Sequence, residues 1–489
     1  MTEPHEYREK RWWALALLCM TQLMVVLDAS IVNIALPSIG TDLEFSQENL
    51  SWVINGYILT FGGFLLLGGR LADLLGRRRV FMAGLIVIAV ASLVAGFSAT
   101  EGQLIAARAA QGLGAAIIAP SALSIVTNLF TDGSERNKAL GAWGAVAGAG
   151  GAAGVLLGGI LTDGLGWEWV LWVNVPISLI VLALTPRLIG ESRSESQTRT
   201  FDVAGAFSVT AALSVLVYAL VDASNAGWGS FQTIGLLGVS AALFAIFTAI
   251  ERRSDAPLVP FRIFRLRTLT GANVVGLLVG ASLFSMFFFV TLYMQQVLGY
   301  SPIKAGLSYL PLSIAIILSA GIASQLVTKI GFKPVLAIGM GLIAVGLAWF
   351  SQIPVDGSYV SDILGPSVLA AIGLGFSFVP TTIAAVSGIQ ERESGLASGL
   401  INTSQQIGGA LGLAVLATLA NSRTDDVLAN AGGDPSQMNN ALVEGFQTAF
   451  IGGVGFAVLG LVLTLVLIRN KDSRAHVELS AKGEAPVPV

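Results

Sequence analysis

Gly69-Arg-Leu-Ala-Asp73-Leu-Leu-Gly76-Arg77-Arg78-Arg79-Val80 is echoed 255 residues later by Ser324-Gln-Leu-Val-Thr-Lys-Ile-Gly331-Phe-Lys-Pro-Val335, which keeps its Leu, Gly, basic and Val positions. Each copy lies between two apolar stretches and reads as a short polar turn between helices. Gly112-Leu-Gly114 followed by Pro120 returns as Gly373-Leu-Gly375 followed by Pro380, at an offset of 261. Glu135-Arg136 returns as Glu391-Arg392, at 256. A single match means little in a chain rich in Gly and Leu. Three in chain order at nearly one spacing indicate an internal duplication.

Stretches of about 20 apolar residues cross a ~30 Å hydrocarbon core. Fourteen fit, at 13–36, 50–68, 80–98, 103–127, 139–161, 169–186, 203–221, 231–250, 270–294, 304–327, 333–353, 362–387, 394–420 and 446–468. The repeat offset links span 2 to 10, 4 to 12 and 5 to 13. The simplest plan is an all-α polytopic membrane protein with two six-helix halves, 13–186 and 270–468, and a linker carrying two inserted helices, 187–269, between tails 1–12 and 469–489.

Charge gives an orientation. Numbered from the N-terminus, the odd inter-span segments hold 24 of the 27 Lys and Arg, the even ones hold Lys304 and Arg423, and Arg108 lies inside a span. The positive-inside rule then places both termini in the cytoplasm, with the chain in the cytoplasmic membrane. A composition of 54% hydrophobic and 12% charged residues is far from the roughly 25% charge of a soluble domain. The net charge of −3 gives no reason to expect a nucleic-acid partner. The lone Cys19 excludes an intrachain disulfide. Arg8, Lys10 and Arg11 ahead of an apolar run mimic a signal peptide, but thirteen more spans follow and no small-residue cleavage site stands out, so the segment reads as a retained first helix.

Residues 69–79 resemble the loop signature of the major facilitator superfamily between spans 2 and 3. Gly69, Asp73, Gly76, Arg77 and Arg78 keep its spacing, and the resemblance implies a latch on the cytoplasmic side. Leu27-Asp28 through Asn33 to Pro37 is similar to the first-helix motif of fourteen-span drug:proton antiporters of the EmrB/QacA type. Leu104 to Ala116, with Arg108, Gln111, Gly112 and Gly114, resembles the span 4 motif of proton-coupled members. Trp167-Glu-Trp169 through Asn174-Val-Pro176, and Tyr300-Ser-Pro302 through Pro311, resemble the same branch. Span 5 departs from it: Gly154-Val155-Leu-Leu-Gly158-Gly159 has valine where the antiporter motif has proline, and Glu168 stands where a basic residue is usual. Gly150, Gly154 and Gly158 retain a four-residue period that admits a close helix neighbour. Without the proline there is no built-in kink, which leaves the transport direction open.

Ionisable groups deep in a membrane span are functional candidates. Asp28 lies ~12 Å inside the outer end of span 1, and Arg108 ~8 Å inside the outer end of span 4, at 1.5 Å per residue. Burial pushes a carboxyl towards its neutral form and a nearby arginine towards its charged form. These opposed effects suit Asp28 to carry a proton, with Arg108 as its modulator. Asn33, Tyr57, Gln111, Asn402 and Gln405 are candidates to line the cavity, and equally to join helices. Span 10 has no acidic residue, leaving monovalent, neutral or zwitterionic lipophilic cargo open. The stretch Phe284 to Tyr293, with Met286 and Met294, is a candidate apolar wall or a lipid-facing surface.

Gly148-Ala-Gly150-Gly-Ala-Ala153 matches a dinucleotide fingerprint but lies in an apolar helix with no strand before it. Both histidines, His5 and His476, lie in the tails, so no metal site, catalytic triad or His relay can be built within the membrane. There is no phosphate-loop lysine either. The expectation is a non-enzymatic transporter with no cofactor, driven by the proton gradient. It would export small lipophilic compounds such as antibiotics or dyes and, by resemblance, work as a monomer. An uptake symporter, a lipid-type flippase and a non-transporting sensor are the alternatives.

Overall fold

Backbone that meets lipid has to satisfy its hydrogen bonds within its own segment, which favours helices for a chain this apolar. The computed structural model describes residues 5–45, 50, 52–130, 133–192, 203–254, 257, 259–387, 389, 393–432 and 434–482, and among these it contains helices and no strand. The repeat copy Glu391-Arg392 falls outside the described residues. The long helices are α1 (His5–Asp42), α2 (Trp52–Leu75), α3 (Arg77–Gly96), α4 (Glu101–Leu129), α5 (Gly133–Leu165), α6 (Asn174–Leu188), α7 (Val203–Ala226), α8 (Phe231–Glu251), α9 (Arg267–Leu292), α10 (Leu310–Ile330), α11 (Phe332–Phe350), α12 (Gly365–Val386), α13 (Ser394–Asn430), α14 (Met438–Leu467) and α15 (Asn470–Lys482). Short helices Glu168–Trp172 and Pro302–Ser308 precede α6 and α10.

The predicted spans fall on these helices, with 169–186 and 304–327 each divided between a short helix and the long one after it, and eleven segments among the described residues are long and apolar enough to cross a membrane. Helix α13, which carries many Ser, Asn and Gln, is not in that set of eleven, and of α5 and α7 only the shorter apolar stretches Leu156–Leu165 and Ala204–Leu220 are found among the described residues. Large apolar side chains such as Phe97, Phe207 and Val466 stand about 70% exposed, as a lipid-facing surface requires. Helix α1 runs six residues past its predicted end, through position 37, because a proline removes only one ladder bond and Ile39 is buried beyond it. Span 6 is broken at Val173, where Pro176 has no N–H to offer the Trp172 carbonyl.

Packing repeats eight helices apart. Helices α1 and α5 pair as do α9 and α13, and both α2 and α3 pack on α4 as α10 and α11 pack on α12. Gly76 and Gly331 both hold the left-handed turn, at φ 108° and 87°, which favours glycine. The second echo shifts by two residues. Gly114 meets Gly84 on α3, but on α11 it is Gly373, not Gly375, that meets Gly339. A Gly-Leu-Gly string can be aligned either way, and only the helix contacts fix which glycine is equivalent. The two groups meet through α5 with α10 and α12, and through α2 with α13, while α7 packs on both α2 and α13 and α8 packs on α7.

The segment predicted as a C-terminal tail contains a docked helix. Helix α15 packs on α5, α10 and α11. Ser473 Oγ accepts the Lys333 N–H at 3.2 Å. Thr268 Oγ1 donates to the Asp472 carboxylate. His476 Nε2 lies 3.2 Å from Asn137 Oδ1, with the imidazole edge-on to Phe332. Residues 473 and 476 share one face, so a mostly polar helix still buries a stripe.

Burial, with the Arg136 cation as a smaller cause, lowers the His476 imidazole from 6.5 to about 4. A histidine lowered by folding contributes stability that is complete above pH 6.5 and lost as pH falls towards 4. Hydrogen-exchange protection factors of α15, with the intrinsic pH dependence of amide exchange divided out, should therefore be constant above pH 6.5 and fall across that window. His476→Gln, which cannot gain the proton, should flatten the pH dependence.

Candidate functional site

Helices α1, α2, α3, α4 and α6 all bring polar groups to a single buried point. Asp28 on α1 and Arg108 on α4 are both within 1% of full burial. Arg108 Nη1 donates to Asp28 Oδ2 at 2.8 Å and to Gln111 Oε1 at 2.9 Å. Its Nε donates to the Val53 carbonyl of α2 at 3.0 Å, and Nη2 to the Asp28 carbonyl at 3.4 Å. The guanidinium lies 4.6 Å above the Tyr57 ring, and Tyr57 donates its hydroxyl to the Val25 carbonyl. The five donors of an arginine are nearly used up in this way, as a buried cation requires even when it is paired.

The other carboxylate oxygen, Asp28 Oδ1, accepts from Asn174 Nδ2 at 2.6 Å and Gln111 Nε2 at 3.2 Å. Gln111 and Asn174 also reach Ser92 Oγ on α3, at 2.7 and 3.4 Å. Three side chains donate to this carboxyl and none accepts from it among the described residues. That arrangement suits a carboxylate anion, and a proton on Oδ1 has to displace one of its two donors. Asn174 Oδ1 is buried without a hydrogen-bond partner among the described residues. A rotated Asn174 amide would offer that oxygen to a protonated Asp28.

Glycines set the distance between α1 and α5. A Cβ at Gly150, Gly154 or Gly158 would lie 2.8 Å from Val26, 1.9 Å from Ser30 and 2.7 Å from the Ile31 carbonyl, so the four-residue period lets α1 lie directly on α5. Gly159 faces Ile303 instead. The side chain of Val155 is outside what is described, but α5 continues through it unbroken.

At the basic end, Asp73 Oδ1 and Oδ2 accept the Gly395 and Leu396 N–H groups at 3.3 and 3.2 Å, at the start of α13. Arg77 holds the same carboxylate at 3.2 Å. A carboxylate at a helix N-terminus meets unsatisfied N–H groups and the positive end of the dipole. Gly69 permits the approach, since a Cβ there would lie 2.5 Å from the Gly395 carbonyl. Arg78 donates its N–H to Glu191 and a guanidinium N–H to the Ile189 carbonyl. A Cβ on Gly76 would lie 2.7 Å from Glu191 Oε1. Nearby, Arg136 donates to the Val386 carbonyl at 3.2 Å, and Ser324 to the Asn137 carbonyl at 2.6 Å. The two helix groups are thus fastened together at the end that carries the arginines.

Of the residues expected to line a cavity, Tyr57 and Gln111 belong to the Asp28 cluster. Asn33 is exposed and bonded back to the Ala29 and Ser30 carbonyls. Asn402 is partly buried and donates to the Ser398 carbonyl. Gln405 packs along α9, its backbone oxygen 2.2 Å from where a Cβ on Gly280 would lie. Met286, Phe289, Tyr293 and Met294 sit in the core, whereas Phe284 and Phe288 are 40% exposed. Ser92 and Asn174 were not singled out as site residues from the sequence. Asn174 stood in a quoted motif, and its proximity to Pro176 at a helix break was the available signal; Ser92 gave none.

Residues 18–413 match the sequence profile of the Major Facilitator Superfamily. The chain is 38% identical to the puromycin resistance protein pur8 of Streptomyces alboniger over 95% of this chain and 93% of that one. It is 40% identical to the cephamycin export protein CmcT of Amycolatopsis lactamdurans, covering 93% and 92%. With the tetracenomycin C resistance and export protein of Streptomyces glaucescens identity is 33%, covering 98% and 95%. Among solved structures, the proton:xylose symporter XylE aligns over 98% of this chain and 100% of that chain, with a TM-score of 0.60 and 15% identity, a likeness of fold.

Removing one partner of a buried ion pair costs about 3–5 kcal/mol. Asp28→Asn should lower the unfolding temperature in detergent clearly. Adding Arg108→Gln should cost less than the sum of the single changes, with a coupling of about 1–3 kcal/mol; additive losses would mean that the two groups do not interact. At the basic end, Asp73→Ala should loosen the latch. With Cys19 replaced by Ser, the buried reporter Ser398→Cys should then react with N-ethylmaleimide several-fold faster than in the presence of Asp73, and equal rates would show that the carboxylate does not hold this end shut.

Proposed function

The chain belongs to the Major Facilitator Superfamily, and we propose that it exports small lipophilic compounds, antibiotics among them, in exchange for protons. The observation that carries this reading is the buried Asp28–Arg108 pair at 2.8 Å with Gln111 and Asn174 on the second carboxylate oxygen. Relatives that span nearly the whole chain are named for antibiotic resistance or export, which supports the cargo class and the outward direction.

In the proposed cycle Asp28 takes a proton from the outer side, its hold on Arg108 weakens, and the five helices that converge on it shift relative to one another. The Asp73 latch opens, cargo enters from the cytoplasm, and release of the proton inwards restores the pair. The membrane is the cytoplasmic one, crossed fourteen times with both termini inside, as in drug:proton antiporters of the EmrB/QacA type. Residues 13–186 and 270–468 form the moving halves, with 187–269 between them and tails 1–12 and 469–489 outside. The unit is a monomer that needs no cofactor, enzymatic activity or nucleic acid, and its partners are cargo, protons and lipid.

Inverted vesicles acidified inside and loaded with a pH-sensitive dye test the reading. Adding puromycin, a cephamycin or tetracenomycin C should release the quench, and Asp28→Asn should abolish the response while the protein still inserts. Proton flux in the same direction as cargo would identify a symporter instead.

A further inference from the structure

We propose that the docked C-terminal helix completes a binding site for an anionic phospholipid headgroup at the basic end of the bundle. A groove of about 300 Å³ lies between the α10–α11 turn, the end of α14 and α15, lined by Ile330, Lys333, Leu465, Asn470, Ser473 and Arg474. Its walls differ in kind. Ile330 and Leu465 are about half exposed and continue into Val466 at 70%, so one wall is part of the lipid-facing surface. The groove also carries Lys333 and Arg474. Lys329, Arg469 and Lys471 are exposed close by in sequence. The neighbouring acid Asp472 is engaged by Thr268.

The cationic lining is held in place. Lys333 Nζ donates to the Leu465 carbonyl at 2.8 Å, one of the carbonyls that the end of α14 leaves without a helical partner. An ammonium has three donors, so two remain for a ligand. The Lys333 N–H to Ser473 bond fixes α15, and Gly331 allows the contact, since a Cβ there would lie 2.2 Å from Ser473 Oγ. This places Arg474 at the groove, exposed and without an ion pair among the described residues.

A site that is apolar towards the acyl chains and doubly cationic towards the headgroups matches a phospholipid with a net negative phosphate. Basic pockets at this depth recognise such headgroups. Phosphatidylcholine, whose phosphate is offset by an ammonium, fits it poorly. The leaflet is the cytoplasmic one under the orientation proposed above; the lipid preference itself does not depend on proton coupling or on cargo.

The test is electron paramagnetic resonance of the full-length protein in phosphatidylcholine vesicles with trace spin-labelled phosphatidylglycerol or spin-labelled phosphatidylcholine. The immobilised fraction should favour phosphatidylglycerol. Arg474→Gln should reduce that preference about fivefold, and Lys333→Gln with Arg474→Gln should remove most of it. Arg252→Gln with Arg253→Gln, basic residues elsewhere, should leave it unchanged. Equal losses in both pairs would assign the preference to general surface charge and overturn the site. So would an unchanged preference in Arg474→Gln, which folds independently of the Lys333 contact. Displacement of the labelled lipid by inorganic phosphate at matched ionic strength would indicate a free-anion site and overturn the lipid assignment. Vesicle efflux assays that fail while this preference holds would bear on transport alone.

Discussion

A guanidinium and a carboxylate meet 2.8 Å apart inside a bundle where neither can reach water, and the arrangement of five helices answers to that contact. A buried charge costs several kcal/mol unless its partner and its remaining hydrogen bonds are supplied. Arg108 takes its partners from α1 and α2 and from Gln111 one turn along α4. Asp28 takes its own from α4 and α6. Five helices are fixed relative to one another by a group that can also change charge. The proposed proton coupling rests on that dependence, because a proton on Asp28 would alter an interaction that sets their positions.

The second constraint is steric. Glycines bring α1 onto α5 and α3 onto α4, and Gly69 and Gly395 let α2 reach the start of α13. Small residues do in the membrane what hydrophobic burial does in water, since lipid gives apolar side chains little reason to leave it. The Asp73 latch combines both constraints. It needs the close approach that Gly69 allows and the unpaired N–H groups at the start of α13. The Asp28–Arg108 pair and the Asp73 contact lie in different regions, with α2 common to both through Val53 and Asp73.

Around this frame, α15 adds a third element. It joins α5 to α10 and α11 through His476, Phe332 and Ser473, next to the contacts that fasten the two groups together. A docked helix at that place ties the fastened end to the lipid surface beside it.

Much was legible in the sequence because it rests on length, charge and local spacing. Apolar stretches of membrane length located the helices, the sorting of Lys and Arg gave an expected orientation, and the spacing of Gly69, Asp73 and Gly76 marked the turn whose Gly76 has φ of 108°. Asp28 and Arg108 stood out because ionisable residues are rare at that depth, but residues eighty positions apart do not declare a shared hydrogen bond. Tertiary structure alone decided that Ser92 joins them, since serine is common enough in helices to carry no signal, and that Asn174, marked only by its motif beside Pro176, reaches the same carboxylate. It also decided that Gly373 rather than Gly375 plays the part of Gly114, and that a polar C-terminal segment docks. In each case the outcome depends on which helix faces lie opposite one another, and periodicity within one helix fixes its face without naming the neighbour.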